Sequence, residues 1–232
     1  MKKIVMPIFL GLAFAGAALA KEPRVEKATN VLNEIMSSPD HGIPHDLMDK
    51  AVCVGIVPSE IKVALGVGAD FGHGVMVCRR HGDSPWGAPS EFTMGGGSFG
   101  FQIGGEGTDV VFLVMNEDGA RKFVSDHVKL GGDASIAAGP VGRTGQAATD
   151  AELHAEILSY SRTRGLFAGV SLAGAVVKQD HGANRRLYGR DISSKEILFG
   201  GIPIPPEARP LHAALEHYSP RGGTRYSASL VQ

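Results

Sequence analysis

Apolar positions in this chain change period twice, and each change predicts a different kind of element. Val25, Ala28, Val31, Leu32, Ile35 and Met36 recur at helical spacing, which predicts an amphipathic helix over 23–36 with Pro23 in its first turn. After the break at Ser37-Ser38-Pro39-Asp40, Ile43-Pro44 leads into a second short helix. From Ala51 the period becomes two. Val52, Val54 and Ile56 alternate with Cys53, Gly55 and Val57, then Val63 to Ala69 alternates, then Val75 to Cys78. With turns at Pro58-Ser59 and Gly72-His73-Gly74, these predict three antiparallel strands.

The stretch Gly95 to Met115 reads as a hairpin at the centre of the sheet. Phe99, Phe101 and Ile103 alternate with Gly100, Gln102 and Gly104, and Val110 to Met115 is unbroken in its apolar character. Gly104, Gly105 and Gly107 supply the turn. Asn116 is placed to cap a following helix. Strands are expected over 156–161 and 166–177, and short helices over 180–188 and 193–199, the last ending at Gly200-Gly201. The Pro- and Gly-rich tail, 202–232, is expected to lack fixed structure, with His212 and His217 in solvent. The fold class predicted is α+β: a strongly curved, antiparallel, barrel-like sheet of glycine-rich strands with helices packed outside.

Composition narrows the setting. Lys2 and Lys3, an apolar run to Leu19 and the Ala18-Leu19-Ala20 motif read as a signal peptide over 1–20. Its removal leaves 21 basic residues against 24 acidic, a net charge of −3, so nucleic acid is not an expected partner. Residues 21–201 then form one domain, exported to the periplasm or outside the cell. Cys53 and Cys78 face an oxidising compartment there. A pair of buried thiols is the favoured reading over a disulfide between neighbouring strands.

Candidate chemistry is sparse. Gly95, Gly97 and Gly100 match the spacing G-x-G-x-x-G, but they lead into an alternating strand and not into the helix that a pyrophosphate needs. His41 and His45 lack a third ligand, so no metal is expected, and no cofactor. Ser98, His127 and Asp109 supply the residue types of a hydrolytic triad without a nucleophile elbow. No enzyme activity is expected.

Several strings occur together and in order: Ile61-Lys62-Val63-Ala64, Gly100-Phe101-Gln102-Ile103-Gly104, Thr108-Asp109-Val110-Val111, Lys129-Leu130-Gly131-Gly132-Asp133, Ala138-Gly139-Pro140-Val141-Gly142-Arg143, Tyr160-Ser161-Arg162-Thr163-Arg164-Gly165-Leu166-Phe167 and Asn184-Arg185-Arg186-Leu187-Tyr188-Gly189. In these the chain resembles the SYLF-domain family from about Val25 to Gly201. The resemblance implies a lipid-binding module at a phospholipid membrane surface. Family members that bind actin are cytosolic, so export makes actin an unexpected partner here. A homo-oligomeric envelope protein acting through protein contacts, and a carrier holding a lipid in an internal cavity, are the alternatives.

The candidate head-group contacts are Lys62, Arg79, Arg80, Arg162, Arg164, Arg185 and Arg186, basic residues in or beside turns. Val25, Leu32 and Ile35 form the face that would enter the bilayer if the first helix detaches.

Overall fold

The computed structural model describes residues 23–37, 42–65, 67–80, 84–99, 107–125, 127–142, 154–163 and 166–220, and of 60–71 and 97–99 only the backbone. Nine strands form one sheet: β1 (Cys53–Leu65), β2 (Val67–Cys78), β3 (Ser90–Phe99), β4 (Gly107–Val114), β5 (His127–Lys129), β6 (Ile136–Ala138), β7 (Ile157–Thr163), β8 (Leu166–Gly169) and β9 (Val176–Gln179). Their order is β5-β9-β3-β2-β1-β4-β7-β6, with β8 also on β7, and among these described strands the β6–β7 pair alone is parallel. The two ends of that order, β5 and β6, are consecutive in the chain. Leu130 bridges Ala134 in the link between them. The sheet is therefore strongly curled, a half-barrel whose first and last strands share one short turn. The predicted fold class holds.

Three details of the strand reading are corrected. The first 26 residues of the sheet form two long strands instead of three short ones, and Pro58-Ser59 is a bulge within β1. Ser59 sits at φ 53°, and its N–H donates to Asp109 Oδ1 at 2.9 Å. The centre of the sheet is the β1–β2 ribbon, while β3 and β4 are separated by it. The predicted hairpin between 99–103 and 110–115 is thus not a pair among the described residues, and 100–106 lies outside them. The expected strand 166–177 divides into β8 and β9 around Gly174, which adopts φ 94°.

Gly72-His73-Gly74 looked like a turn because glycine and strand interiors seldom agree. Here glycine makes room for a ring. Gly74 pairs directly with Phe92, and a Cβ on Gly74 would lie 2.3 Å from that ring. Gly55 stands the same way opposite Phe112, at 2.2 Å. The rings of Phe92, Phe112 and Phe123 follow one another at centroid distances of 5.8 and 5.7 Å. Gly55→Ala is expected to destabilise the fold by about 1–3 kcal/mol, the usual range for overpacking. A shifted urea midpoint with an unchanged slope would register it; an unchanged midpoint would refute the ring-over-glycine account.

Two layers of core result. Side chains of β1, β2, β3, β4, β7, β9 and β5 meet in one cluster around those rings. Only the inside of a curl lets strands so far apart in the order share a cluster. A partly open pocket there, bordered by Met76, Phe92, Phe123 and Leu198, measures about 20 Å³, room for one water. It does not accommodate a lipid tail.

The outer face is covered by helices: α1 (Arg24–Met36), α2 (His45–Lys50) and α6 (Arg209–Tyr218). The other α-helices among the described residues are α3 (Glu117–Lys122), α4 (His181–Tyr188) and α5 (Ser194–Phe199). Asn116 caps α3 as expected, accepting from Gly119 N–H. The tail is a clear correction, since 206–208 is a 3₁₀ turn and α6 buries Leu211 and Leu215 against α1. Its prolines, Pro206 and Pro210, start helical turns instead of preventing them. The domain thus extends at least to Ser219, beyond the expected boundary at 201.

Cys53 and Cys78 are direct cross-strand partners, joined by a disulfide and buried in the inner layer. The expected thiol pair is corrected. Strand register, which sequence alone did not supply, puts the two Cα atoms 4.0 Å apart.

Candidate functional site

The described basic residues among the proposed head-group contacts fall into three groups. Arg79 is wholly buried: Nη2 donates to Ser219 O at 2.6 Å and Oγ at 2.8 Å, Nη1 to Ser84 O at 3.0 Å, and the guanidinium lies 3.9 Å from the Trp86 ring centroid. It is a structural residue, and the lipid-contact reading is corrected for it. Arg162 is held by Asp109, with Nη2–Oδ2 at 2.6 Å and Nε–Oδ2 at 3.0 Å, and also by Glu34. Arg185 pairs with Asp191 at 2.5 Å.

Arg80 is exposed and lies over Gly201, and Arg186 is exposed on α4. The Lys62 side chain and Arg164 lie outside the described residues. The seven cations therefore do not form one patch among the described residues. Val25, Leu32 and Ile35 are core, at 1%, 0% and 2% exposure, so in this packing they face the sheet and no bilayer.

Asp109 is bound to Arg162 and Ser59, on a strand with four others between it and the edge strand carrying His127 in the sheet order. That arrangement does not assemble the triad. Among the described residues no group of three or more His, Cys, Asp or Glu is placed to hold a metal. No described helix is long and apolar enough to cross a membrane.

A cleft that the sequence did not disclose opens between the start of α1 and α4. It has a volume of about 360 Å³, and Arg24, Arg186, Glu91 and Glu207 line it over Val25 and Leu187. Asp180 organises its wall. Its carboxylate caps α4 through Ala183 N–H at 2.9 Å and accepts from Arg24 Nη1 at 2.7 Å. Arg24 reaches Glu91 as well, at 3.3 Å. Asn184, fully buried, accepts from Glu91 N–H at 2.7 Å and donates to Glu91 O at 3.1 Å, which fixes α4 on β3. Arg186, exposed on α4, adds a favourable charge interaction with both Glu91 and Asp180.

The two wall carboxyls shift in opposite directions. Burial pushes Glu91 up, Arg24 only partly opposes this, and Asp180 adds to it. Burial alone would also raise Asp180, but the Ala183 N–H and Arg24 outweigh it and hold this carboxyl below its usual range. A lowered carboxyl contributes stability above its unfolded pKa and loses it as pH falls through the folded value. Asp180→Asn is therefore expected to be less stable than the parent at pH 7. The gap between their urea midpoints is expected to narrow between about pH 5 and pH 3. A gap independent of pH would refute the ionic role.

The signal for this cleft was partly available. Arg186 was singled out, but its neighbours Arg24, Glu91 and Glu207 are spread over more than 180 positions and meet only in the fold.

Residues 95–218 match the Ysc84 family, described as "Las17-binding protein actin regulator". The chain belongs to this family, the one that carries the SYLF domain. LAS seventeen-binding protein 3 of Saccharomyces cerevisiae is 37% identical over 195 residues, covering 81% of this chain and 42% of the yeast protein. Protein YSC84 of the same yeast is 36% identical over 200 residues, covering 82% and 42%. The human SH3 domain-containing YSC84-like protein 1 is 34% identical over 200 residues, covering 84% and 58%. This Ysc84-family chain thus spans about half the length of the curated relatives it matches. The expectation that actin is excluded finds no support here, since the family description itself names an actin regulator.

Proposed function

We propose that this chain is a non-catalytic lipid-binding module, exported through residues 1–20, that engages phospholipid head groups at an envelope membrane. The observation that carries the reading is Arg186, an exposed guanidinium on the same opening as Arg24, whose charge also acts on Glu91 and Asp180. A guanidinium fork matches phosphate oxygens, and each basic residue near an anionic surface is worth about 1 kcal/mol. The resemblance to SYLF domains supports the same class of ligand.

The relatives' names favour a second reading, a protein partner of the Las17 type. More than half of each yeast relative lies outside the aligned part, so the named binding is not assigned to the shared domain by its name.

Flotation on phospholipid vesicles of graded anionic content tests the first reading. The protein is expected to float with lipid, and Arg186→Gln to float less. Equal recovery with and without lipid would end it. A stable complex with a protein partner under those conditions would favour the second.

A further inference from the structure

We propose that the outer face of β5 and β9 is a cationic surface that docks flat on an anionic membrane through Lys129, Lys178 and His127. The inference rests on the head-group reading above and names the part of the protein that lies on the bilayer. Its basis is strand register, which gathers residues that no sequence motif links.

The three side chains share one side of the sheet. His127 and Lys178 are direct cross-strand partners, and Lys129 follows His127 at the strand period of two. All three are exposed, while the alternating Val128 and Val177 belong to the inner core. In such an arrangement the Cβ atoms stand about 5–8 Å apart. Thr93, the partner of Lys178 on β3, adds a hydroxyl on the same side.

The protein does not spend these charges on itself. Among the described residues none of the three enters an ion pair or a side-chain hydrogen bond. None is among the charges that shift Glu91, Glu156 or Asp180. By contrast Arg121, Lys122, Arg162, Arg185 and Arg190 each have a carboxylate partner. The carboxylates two positions along the same strands, Glu91 and Asp180, are held by Arg24. The Asp133 carboxylate accepts the backbone N–H of Lys129 at 2.7 Å.

Like charges facing each other across a ladder repel, so folding alone does not favour this arrangement. Lysine also guards exposed sheet margins, but Lys178 stands one strand in from the margin. The helices α1, α2 and α6 cover the outer side over β1, β2, β4 and β7, and leave this part open. An open face gives a small free anion no enclosure. A layer of head groups offers phosphates to all three side chains at once.

Partition onto phosphatidylcholine vesicles with graded phosphatidylglycerol tests the surface. A basic residue near an anionic surface contributes about fivefold, so Lys129→Gln/Lys178→Gln is expected to weaken partition roughly twenty- to thirtyfold. The control Lys50→Gln/Arg121→Gln removes the same charge from α2 and α3, where each cation has a carboxylate partner. It is expected to weaken partition less than about threefold, because salt screens charges away from the contact. Urea midpoints of the first variant are expected to stay level or rise, since a repulsion is removed. On the parent protein, vesicles are expected to shield Lys129 and Lys178 from a water-soluble acetylating reagent more than Lys50, as mapped by mass spectrometry. If the parent partitions but both double variants lose equally, or neither loses, or shielding is uniform, this surface is overturned and the head-group reading stands. If the parent does not partition, both are overturned.

Discussion

Removing the Cys53–Cys78 cross-link, as in the Cys53→Ala/Cys78→Ala double variant, is expected to lower the unfolding free energy by about 3–4 kcal/mol. The figure is the chain-entropy value for a loop of this size, set by a sequence separation of 25. The bond joins the first residue of β1 to the last of β2, so the loop it closes is the entire central ribbon. In the unfolded chain that ribbon would otherwise be free to explore widely. Both sulfurs are buried, so methyl groups in their place leave a small void and no unsatisfied polar atom. Urea midpoints of the parent and the double variant at equal slope measure the effect. A difference below about 1 kcal/mol would show that the cross-link does not constrain the unfolded state as described. Thiol titration of the denatured, unreduced protein is expected to find no free cysteine.

Arg79→Met is expected to cost about 3–4 kcal/mol, for a different reason. Hydrogen bonds to a charged group are worth about 1.5–3 kcal/mol each, and several end on this guanidinium. They gather the end of β2, the loop at Ser84, the indole of Trp86 and Ser219 beyond α6. Ser219 continues the connection by donating to Met48 O at 3.1 Å, which ties in α2. Methionine keeps much of the volume and loses every donor, so Ser84 O and Ser219 O each lose a charged donor, with Trp86 Nε1 still on Ser219 O at 3.3 Å. Arg80→Met one position along is the control, because Arg80 is exposed and surface substitutions usually stay within about 0.5 kcal/mol. Fluorescence of Trp86, the single tryptophan, follows both variants. Equal midpoints for the two would refute the assignment.

That neighbouring pair also shows where sequence reading stops. Consecutive residues at the end of a strand point to opposite sides, so of two arginines in a row one is driven inward. Nothing local says which. On α4 the same limit applies around a helix: Arg185 turns to Asp191, and Arg186, about 100° further round, turns to the cleft. Elements with a strong period of their own were legible. The spacing of Val25 to Met36 gave α1, the unbroken run before Asn116 gave β4 and the cap of α3, and the glycine density implied a curved sheet.

Pairing was not legible, because register depends on contacts between segments far apart. Hence the misplaced hairpin and the undecided cysteines. Glycine was the most misleading residue. Gly72 and Gly74 stand inside β2, and at Gly74 the place of the missing Cβ is filled from across the sheet by Phe92. The C-terminal helix was hidden by its prolines, whose ring disfavours a helix interior but suits its first turn. His212, expected in solvent, is half-buried there with Nε2 3.0 Å from Trp86 O.

The brevity of β5 and β6 bears on how this protein behaves when crowded. Each terminal strand is three residues long. An unpaired margin that short offers another chain only a few backbone groups, and long flat margins are what seed intermolecular strand addition. Joining of one copy to another by strand addition along these two margins is therefore disfavoured.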